Sequence, residues 1–293
     1  MIYFIKKNDT LSKIAARFKT NVEAILNANV ICNPALIFIG QPLIIPDINI
    51  HLPKAGAGPY YIVQPGDTLS CISEQTAISL QTLMDINNIQ NPNILYIGKE
   101  LILTQPTTNN PEELKLTWER SPDENCNVYG FTEHGVYYNG SFEWAAFRGE
   151  AIDYLLELLK SPCEIIRRYA VISLGRLALN GKVRKTLNAL INDEYISDIV
   201  KLAIRRIDLN AMGLDRIHVN IMDNNLLSQP NLSSASVKLP KGSGVIILKW
   251  FIPSPTGEEG PRGGIQIYDY VQYISTGQIG FIPRAGYAEI PYI

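Results

Sequence analysis

The order of apolar and polar positions along residues 2–46 predicts four short elements. Residues 2–6 are rich in β-branched and aromatic types, as strands are. Two amphipathic helices follow, with apolar positions at Leu11, Ile14, Ala15 and Phe18 in the first and at Val22, Ile25 and Leu26 in the second. Asp9 and Asn21 precede them as candidate N-caps, because their side-chain oxygens accept hydrogen bonds from the free amides of a starting helix. A closing strand is predicted at 43–45.

The same order of elements returns further along the chain without a gap. The matched positions are Tyr3 with Tyr61, Asp9 with Asp67, Thr10 with Thr68, Leu11 with Leu69, Ile14 with Ile72, Asn29 with Asn87, Asn33-Pro34 with Asn91-Pro92, Ile39-Gly40 with Ile97-Gly98, and Leu43 with Leu101, a constant offset of 58 residues. Ser79 is the candidate cap of the second helix in this copy. A tandem repeat is one small module used twice. Doubling favours binding over catalysis, because a weak site gains avidity when it is tethered to a copy of itself.

The second copy resembles a LysM module. The resemblance rests on Tyr61-Ile62-Val63-Gln64-Pro65-Gly66-Asp67-Thr68-Leu69 at its opening and on Asn91-Pro92-Asn93-Ile94-Leu95-Tyr96-Ile97-Gly98-Lys99-Glu100-Leu101 at its close. The first copy is similar, with Asn8 where Gly66 stands and Gln41-Pro42 where Lys99-Glu100 stand. The resemblance covers residues 2–46 and 60–104. It implies a βααβ fold and the binding of N-acetylglucosamine-containing glycans, peptidoglycan or chitin.

The glycan groove of this family lies between the loop entering the first helix and the loop before the last strand. The resemblance therefore implies glycan-binding positions at Asp9, Thr10, Leu11, Ala35, Leu36, Ile37, Gly66, Asp67, Thr68, Leu69, Asn93, Ile94 and Leu95. Asp67 and Thr68 are equally well explained as helix caps and Leu69 as core, so the loops carry more of this prediction than any side chain. A linker at 47–59, treated as a flexible coil, spans on the order of 20 Å. That reach predicts bivalent binding of one glycan strand by both modules.

The chain beyond a second linker at 104–111 is predicted to be mainly helical as far as residue 210. Strands are predicted within it at 114–118 and 136–138. One helix face is predicted from Trp144, Phe147, Ile152, Leu155, Leu156 and Leu159. Residues 161–164 form a candidate capping box with Pro162 at the first helical position. The next helix resembles the second helix of a HEAT repeat, since Ile166, Ala170 and Leu174 are echoed by Ile199, Ala203 and Ile207. Stacked helix pairs build interaction surfaces, although packing alone explains these positions equally well.

From Asp215 onward, short apolar and polar alternations separated by Gly and Pro predict a small β-barrel or sandwich. The candidate strands are Ile217–Ile221, Ser236–Leu239, Val245–Phe251, Ile265–Tyr270, Gln278–Pro283 and Ala288–Ile290. The stretches 225–230, 238–242 and 277–282 resemble a bacterial Src-homology-3-like domain, a class that can bind peptides of peptidoglycan. Aromatic residues at Trp250, Tyr268, Tyr270 and Tyr273 are candidates for a peptide groove, and barrel core is their simpler explanation.

The composition and charge of the chain bear on which classes of partner it can bind. A net charge of -2 and a pI of 6.0 give no basic footprint for nucleic acid or an anionic membrane. No apolar stretch is long enough for a transmembrane helix, and the amino terminus lacks the pattern of a signal peptide. These features predict synthesis in the cytoplasm without a signal peptide, followed by action at a cell wall, a spore envelope or a phage-like particle. Cys32, Cys71, Cys126 and Cys163 show neither close pairing nor zinc spacing, which predicts thiols rather than disulfides and no metal or cofactor.

A search for a catalytic constellation finds no recognisable hydrolase signature. Cys126 and Glu133-His134 are the one pair close enough to suggest a nucleophile and a base, and an acidic turn around Cys126 would raise its pKa. A carboxylate pair assembled from distant loops stays open. The candidates for such a site are Glu133, His134 and Glu143.

We therefore expect a multidomain α+β protein. Its predicted parts are two βααβ LysM modules at 1–47 and 59–105, an α-helical HEAT-like domain with an irregular start at 112–210, and a small Src-homology-3-like β-barrel at 215–293. The expected function is that of a non-catalytic adaptor, which anchors a cell-wall or spore-envelope assembly on peptidoglycan or a chitin-like glycan and contacts a protein partner through residues 142–293. One alternative is a structural component of a phage tail or contractile injection machine, with docking in place of glycan binding. A wall hydrolase with an unrecognised catalytic domain is the other.

Overall fold

The computed structural model describes residues 2–46, 54, 58–122, 126, 131–177, 181–211, 217–261, 263–284 and 293. The predicted strand at 288–290 lies outside these residues, as does most of the first linker. Within the described part, none of the helices is both long and apolar enough to cross a membrane.

Each repeat folds as a strand, two helices and a strand. The elements of the first are β1 (Ile2–Phe4), α1 (Leu11–Arg17), α2 (Val22–Ala28) and β2 (Pro42–Ile44), and those of the second are β3 (Tyr60–Ile62), α3 (Leu69–Thr76), α4 (Leu80–Ile86) and β4 (Glu100–Ile102). In both, the first and last strands pair antiparallel, with Tyr3 opposite Leu43 and Tyr61 opposite Leu101. The apolar positions predicted from helical spacing face the small cores, where Ile14 and Ile72 are fully buried.

The cap of α1 differs from the prediction by one residue. Thr10, not Asp9, is the N-cap of α1, and its hydroxyl accepts from the amide of Lys13. Asp9 instead accepts from the Lys6 amide at 2.8 Å and thereby closes the preceding turn. Thr68 caps α3 in the same way. The second helices are capped as predicted, by Asn21 and Ser79.

A buried asparagine joins helix to strand in each copy. The side-chain amide of Asn29 donates to the carbonyls of Ile25 and Ile44, and its oxygen accepts from the Ile44 amide at 2.9 Å. Asn87 makes the same three bonds in the second copy. Buried backbone groups need partners, so this residue type at this position fixes how the closing strand lies against the second helix.

The next segment is helical throughout its described length. Its helices are α5 (Pro111–Arg120), α6 (Phe131–Phe147), α7 (Ala151–Leu158), α8 (Glu164–Leu177), α9 (Gly181–Ala189) and α10 (Ser197–Asn210). The strands predicted at 114–118 and 136–138 are wrong, because both stretches are helical. Asn110 caps α5 through the amide of Glu113, with Pro111 at the first helical position. The aromatic residues that suggested strands pack together in a core instead: the ring centroids of Trp118 and Tyr137 lie 5.3 Å apart.

Two details of the helical prediction also change. The single face predicted across 144–159 is divided between α6 and α7 by a 3₁₀ turn, Arg148–Glu150. Ser161 accepts from the amide of Cys163 in a turn before α8 begins, so it does not act as the predicted capping box. The similar apolar positions of α8 and α10 have a packing reason, because the two helices are in close contact. A Cβ placed on Gly175 of α8 would lie 3.0 Å from the Cβ of Ala203 in α10. The matched faces thus pack against each other.

The carboxy-terminal part is a curled six-stranded antiparallel sheet, a half-barrel. Its strands are β5 (Ile217–Val219), β6 (Asn224–Leu227), β7 (Ser236–Leu239), β8 (Gly244–Pro253), β9 (Ile267–Tyr273) and β10 (Ile279–Pro283), in the order β5-β8-β9-β10-β6-β7. Five of the six predicted strands are found, with shifted ends in four of them. Strand β6 was not predicted, because the polar Asn224 and Asn225 give it no alternation. Within the half-barrel, Asp269 and Arg284 form a fully buried ion pair.

The four parts pack on each other rather than standing apart. Tyr60 of the second module lies in the main core, with its ring 5.8 Å from Phe142 of the helical segment and 6.2 Å from Trp250 of the sheet. Ile44 of the first module packs with the sheet residues Ile252 and Phe281. The described parts of the chain therefore share hydrophobic cores.

The prediction of unpaired thiols is also wrong. Cys32 is bonded to Cys71, with their Cα atoms 5.6 Å apart, and Cys126 is bonded to Cys163, with a Cα separation of 5.1 Å. Cys32 and Cys71 have no counterpart in the other copy because the bond runs from one module to the other. A disulfide between modules leaves no short spacing of cysteines in the sequence from which the pairing could be predicted. Such bonds form and persist in oxidising surroundings.

Candidate functional site

The loop entering the first helix supplies cap and core residues in both modules. The side-chain hydroxyls of Thr10 and Thr68 cap the first helix of each module. The side chains of Leu11 and Leu69 are buried in their own cores, with 3% and 1% exposure. The side chains at these predicted glycan-binding positions therefore stabilise the module itself. What the loop can offer to a ligand is chiefly its backbone and Gly66.

The two aspartates of this loop differ in their surroundings. The hydroxyls of Tyr3 and Tyr61 donate to Asp9 and Asp67 respectively. The Tyr3 hydroxyl, the Lys6 amide and the nearby Arg17 hold the pKa of Asp9 below its usual value. Burial raises the pKa of Asp67, against the smaller effects of the Gln64 amide and the Tyr61 hydroxyl.

The loop before the last strand is an asparagine turn in both copies. The side-chain oxygen of Asn33 accepts from the amide of Ala35, and that of Asn91 accepts from the amide of Asn93, both at 3.0 Å. The next amide donates to the asparagine carbonyl in each case. These amides are satisfied inside the module, so the loops present apolar side chains more than donors.

Of the predicted site residues, Thr10, Gly66 and Thr68 are exposed in the entry loops, and two closing-loop residues expose large apolar side chains. Leu36 is 44% exposed and Ile94, its counterpart, is 52% exposed. Ala35 and Asn93 are exposed as well, whereas Ile37 and Leu95 are half-buried against their cores.

Sequence reasoning missed three further exposed apolar residues in the same loops. Ile39, Tyr96 and Ile97 have exposures of 70%, 69% and 67%. Ile39 and Ile97 were already matched in the repeat and each precedes a glycine with positive φ, Gly40 at 83° and Gly98 at 81°. Their matched place directly before a glycine in both copies was the available signal.

The structure brings predicted site residues of the two modules together. A Cβ placed on Gly66 would lie 2.5 Å from Cδ1 of Leu36, so the entry loop of the second module touches the closing loop of the first. Gly66 has φ of 84°, and Asn8, at the same position of the first module, has φ of 67°. Asparagine is among the few residues with a Cβ that tolerate this conformation. Close contact explains why the second module needs glycine.

Among the hydrolase candidates, the described side chains of Glu143 and Cys126 have structural partners. Glu143 is buried and accepts from both the amide and the hydroxyl of Thr107, at 2.7 and 2.8 Å. The side chains of Glu133 and His134 lie outside the description, and Cys126 is in a disulfide. Among the described residues, no group of three His, Cys, Asp or Glu side chains is placed to hold a metal ion.

Comparison with known proteins agrees with the repeat geometry. Residues 3–46 and 61–104 each match the LysM domain family, so the amino-terminal part of the chain consists of two LysM domains in tandem. The chain is 34% identical over 121 residues to the secreted LysM effector ECP6 of Passalora fulva, covering 36% of this chain and 52% of that protein. It is 34% identical over 103 residues to an endolysin of Bacillus phage B103, covering 34% of this chain and 37% of that protein.

A third relative is the N-acetylmuramoyl-L-alanine amidase sle1 of Staphylococcus aureus, which is 28% identical over 159 residues, or 51% of this chain and 46% of that protein. The chain thus spans about half or less of the length of these relatives. Among solved structures, the spore cortex-lytic enzyme SleL of Bacillus cereus is similar over 68% of this chain and 55% of its own, with a TM-score of 0.18 and 17% identity. A score this low carries no inference.

Proposed function

We propose that this protein is a non-catalytic, peptidoglycan-binding adaptor. In this proposal its two LysM domains bind one N-acetylglucosamine-containing glycan on a joint surface, defined here as Leu36 and Ile94 with the exposed loop residues beside them. The contact between Leu36 and Gly66 is the observation that carries the proposal, because it makes the two family grooves neighbours.

The apolar character of the joint surface supports a glycan ligand. Sugar rings and N-acetyl groups present apolar faces, and Leu36, Ile94 and Tyr96 expose large side chains that would otherwise face water. Isolated exposed apolar residues are common, but a group repeated in the same loop of both copies indicates a binding surface.

The fixed arrangement of the modules supports joint rather than tethered binding. The Cys32–Cys71 bond and the packing of Val30 into the core of the second module hold the two units together. Surfaces that are already in place lose less conformational entropy on binding than modules on a flexible linker. The gain from two copies then comes from preorganisation, not from linker length.

The remaining segments fit the adaptor role. The helical segment and the sheet share the main core with Tyr60 of the second module. A protein partner that binds residues 142–293 would therefore be rigidly coupled to the glycan. The relatives include an endolysin and an N-acetylmuramoyl-L-alanine amidase, and these names support a cell wall as the place of action.

The test uses the whole chain, because its parts share cores. We expect the wild type to sediment with purified peptidoglycan, and the double variant Leu36→Glu with Ile94→Glu to bind about tenfold more weakly or worse, since charge replaces apolar contact. Leu232→Glu, at a leucine of similar exposure (50%) in the turn between β6 and β7, is the matched control.

Unchanged sedimentation of the double variant would remove the joint surface as the glycan site. Absence of sedimentation by the wild type would favour docking within a phage-like particle. The same incubations test catalysis: we expect no release of reducing ends or free amines. Release that is lost in Glu133→Gln or His134→Ala would replace the adaptor with a wall hydrolase.

A further inference from the structure

The charged residues of the chain are distributed unequally between the two LysM domains. Residues 2–46 contain five Lys and Arg side chains against two Asp and Glu, whereas residues 60–104 contain one against four. The formal net charges of the two modules are therefore +3 and -3, although that of the whole chain is only -2. Two copies of one fold thus present opposite electrostatic surfaces to a ligand.

The difference arises at matched positions of the repeat, where a cation of the first module is replaced by an uncharged residue in the second. These cations are Lys6, Lys7, Lys13, Arg17 and Lys19, and their counterparts are Gln64, Pro65, Cys71, Gln75 and Ala77. All five cations are exposed. Because the second module has the same fold without them, the fold itself does not require these charges.

Three of these cations lie around the loop that enters α1. The Asp9 amide donates to the Lys6 carbonyl at 3.1 Å, which closes a tight turn with Lys6 and Lys7 at its start. The ammonium group of Lys13 donates to the carbonyl of Asn8 at 3.0 Å, so the first turn of α1 brings a third cation to the same loop. Lys6, Lys7 and Lys13 are called the basic surface below.

The aspartate of this loop does not offset the charge of the basic surface. The carboxylate of Asp9 lies 3.3 Å from the guanidinium of Arg17 and also accepts from the Tyr3 hydroxyl. One carboxylate is thus matched by one guanidinium. The charges of the basic surface remain in excess.

The basic surface lies beside the groove assigned to the first module. Directly before Lys6, the carbonyl of Ile5 accepts from the Gly40 amide at 2.7 Å, and the Ile5 amide donates to the Gln41 carbonyl at 3.1 Å. These bonds join the entry loop to the end of the closing loop that carries Leu36. The assigned groove lies between the two loops. A strand bound there would pass close to the basic surface.

We propose that the basic surface makes the first module selective for a glycan strand whose attached groups carry carboxylates, whereas the second module gives no such preference. This inference rests on the proposed function, because it concerns the same groove. Lysine ammonium groups are point charges on flexible stems. They suit carboxylates that recur along a strand, and an uncharged, chitin-like strand gains nothing from them.

The observations favour carboxylates on the bound glycan over a separate phosphate polymer. Phosphate is matched best by the planar fork of arginine, and Arg17 is engaged by Asp9. The basic surface consists of lysines, and its loop is joined to the closing loop that exposes Leu36. One ligand can therefore contact the apolar residues and the lysines together.

Calorimetric titration of the whole chain tests the selectivity with three probes of equal length. They are a soluble peptidoglycan oligomer with acetylated amines and free carboxylates, the same oligomer after amidation of its carboxylates, and a chitin oligomer. We expect the acid to bind about fivefold more tightly than its amide, since exposed charge contacts are individually weak and several act together. Salt at about 0.5 M should remove this difference by screening the charges.

The triple variant Lys6→Gln with Lys7→Gln and Lys13→Gln should bind the acid and the amide equally, with its affinity for the amide unchanged. Glutamine is the residue that the second module has at the position of Lys6, where it is compatible with the fold.

The matched control is Lys160→Gln with Lys185→Gln and Lys201→Gln, at exposed lysines of the helical segment. It changes the net charge by the same amount and should keep the preference for the acid. Loss of the preference in both triple variants, or its survival in both, would overturn the assignment to the basic surface.

The titrations also separate this inference from the proposed function. Equal affinity of the wild type for the acid and the amide overturns the selectivity and leaves glycan binding in place. Failure of every oligomer to bind overturns both proposals. Binding of poly(glycerol phosphate) that the acid oligomer does not displace, and that is lost in the basic-surface variant, would reassign the lysines to a separate polyanion.

Discussion

At the scale of single residues, the two copies use the same aspartate under different electrostatic conditions. Arg17 reaches Asp9 in the first module, and the corresponding residue of the second module is Gln75, which pairs with Lys54 instead. Asp67 keeps the tyrosine and backbone donors, but burial dominates there. One repeated position thus acquires opposite pKa shifts, because its neighbours and its solvation differ.

We predict that carbon NMR titration of the side-chain carboxyls finds Asp9 ionising below, and Asp67 above, the ordinary carboxyl range. The folded pKa of Asp9 is lowered, so its contribution to stability is present above the unfolded pKa and is lost as the pH falls through the folded one. The folded pKa of Asp67 is raised, so its ionisation costs stability at neutral pH and acid relieves that cost. Arg17→Gln should raise the midpoint of Asp9 modestly, since the Tyr3 hydroxyl remains. Identical midpoints for the two aspartates would contradict the assignment.

At the scale of elements, the Cys32–Cys71 bond connects the loop after α2 of the first module to α3 of the second. The bonded residues are 39 positions apart in sequence. Closing a loop of this length restricts the unfolded chain by about 4 kcal/mol in the chain-entropy account. The bond also sets the two modules side by side, which is the condition for the proposed joint surface.

We predict that the double variant Cys32→Ser with Cys71→Ser lowers the free energy of unfolding by about 2–4 kcal/mol, measured in urea. Its affinity for long glycans should fall more than its affinity for short ones, because only long ones span both modules. Cys126→Ser with Cys163→Ser is the comparison: it removes the bond within the helical segment and should leave the length dependence unchanged. Peptide mapping that recovers Cys32 and Cys71 as free thiols would rule out the pairing.

At the scale of the whole molecule, the second LysM domain lies at the centre of the packing. Tyr60 reaches the helical segment and the sheet, and just before it Gly58 lies against Trp250. A Cβ on Gly58 would be 2.6 Å from Cγ of Trp250, a side chain that is 1% exposed. The modules, the helices and the sheet are therefore expected to influence each other's stability.

We predict that Gly58→Ala destabilises the protein by about 1–3 kcal/mol, since a buried tryptophan must move to admit the methyl group. Differential scanning calorimetry should show a lower melting temperature, and tryptophan fluorescence should follow the same transition. Gly149→Ala is the matched control, because a Cβ there meets nothing within 4 Å. A Gly58→Ala variant that melts like the wild type would show that the second module is not packed on the sheet.

The local features of the chain were predictable from sequence because their causes are local. The repeat, the order of elements in each module and the caps at Asn21 and Ser79 depend on neighbours a few residues away. So does most of the carboxy-terminal sheet, where alternation and turn residues mark strands. The errors at 114–118 and 136–138 arose where aromatic residues imitate a strand, and only their burial against each other shows that they lie on helices.

The features of the candidate site likewise fall into those with local causes and those that depend on tertiary contacts. The sequence predicts which loops carry the candidate site, through the LysM resemblance and the matched positions around Leu36 and Ile94. Only the tertiary structure showed that Thr10 and Thr68 cap helices and that Leu11 and Leu69 lie in the cores. It also brought Gly66 into contact with Leu36 and paired cysteines of different modules. Contacts between residues far apart in sequence leave no periodic pattern, because each depends on the packing of surfaces that only the folded chain brings together.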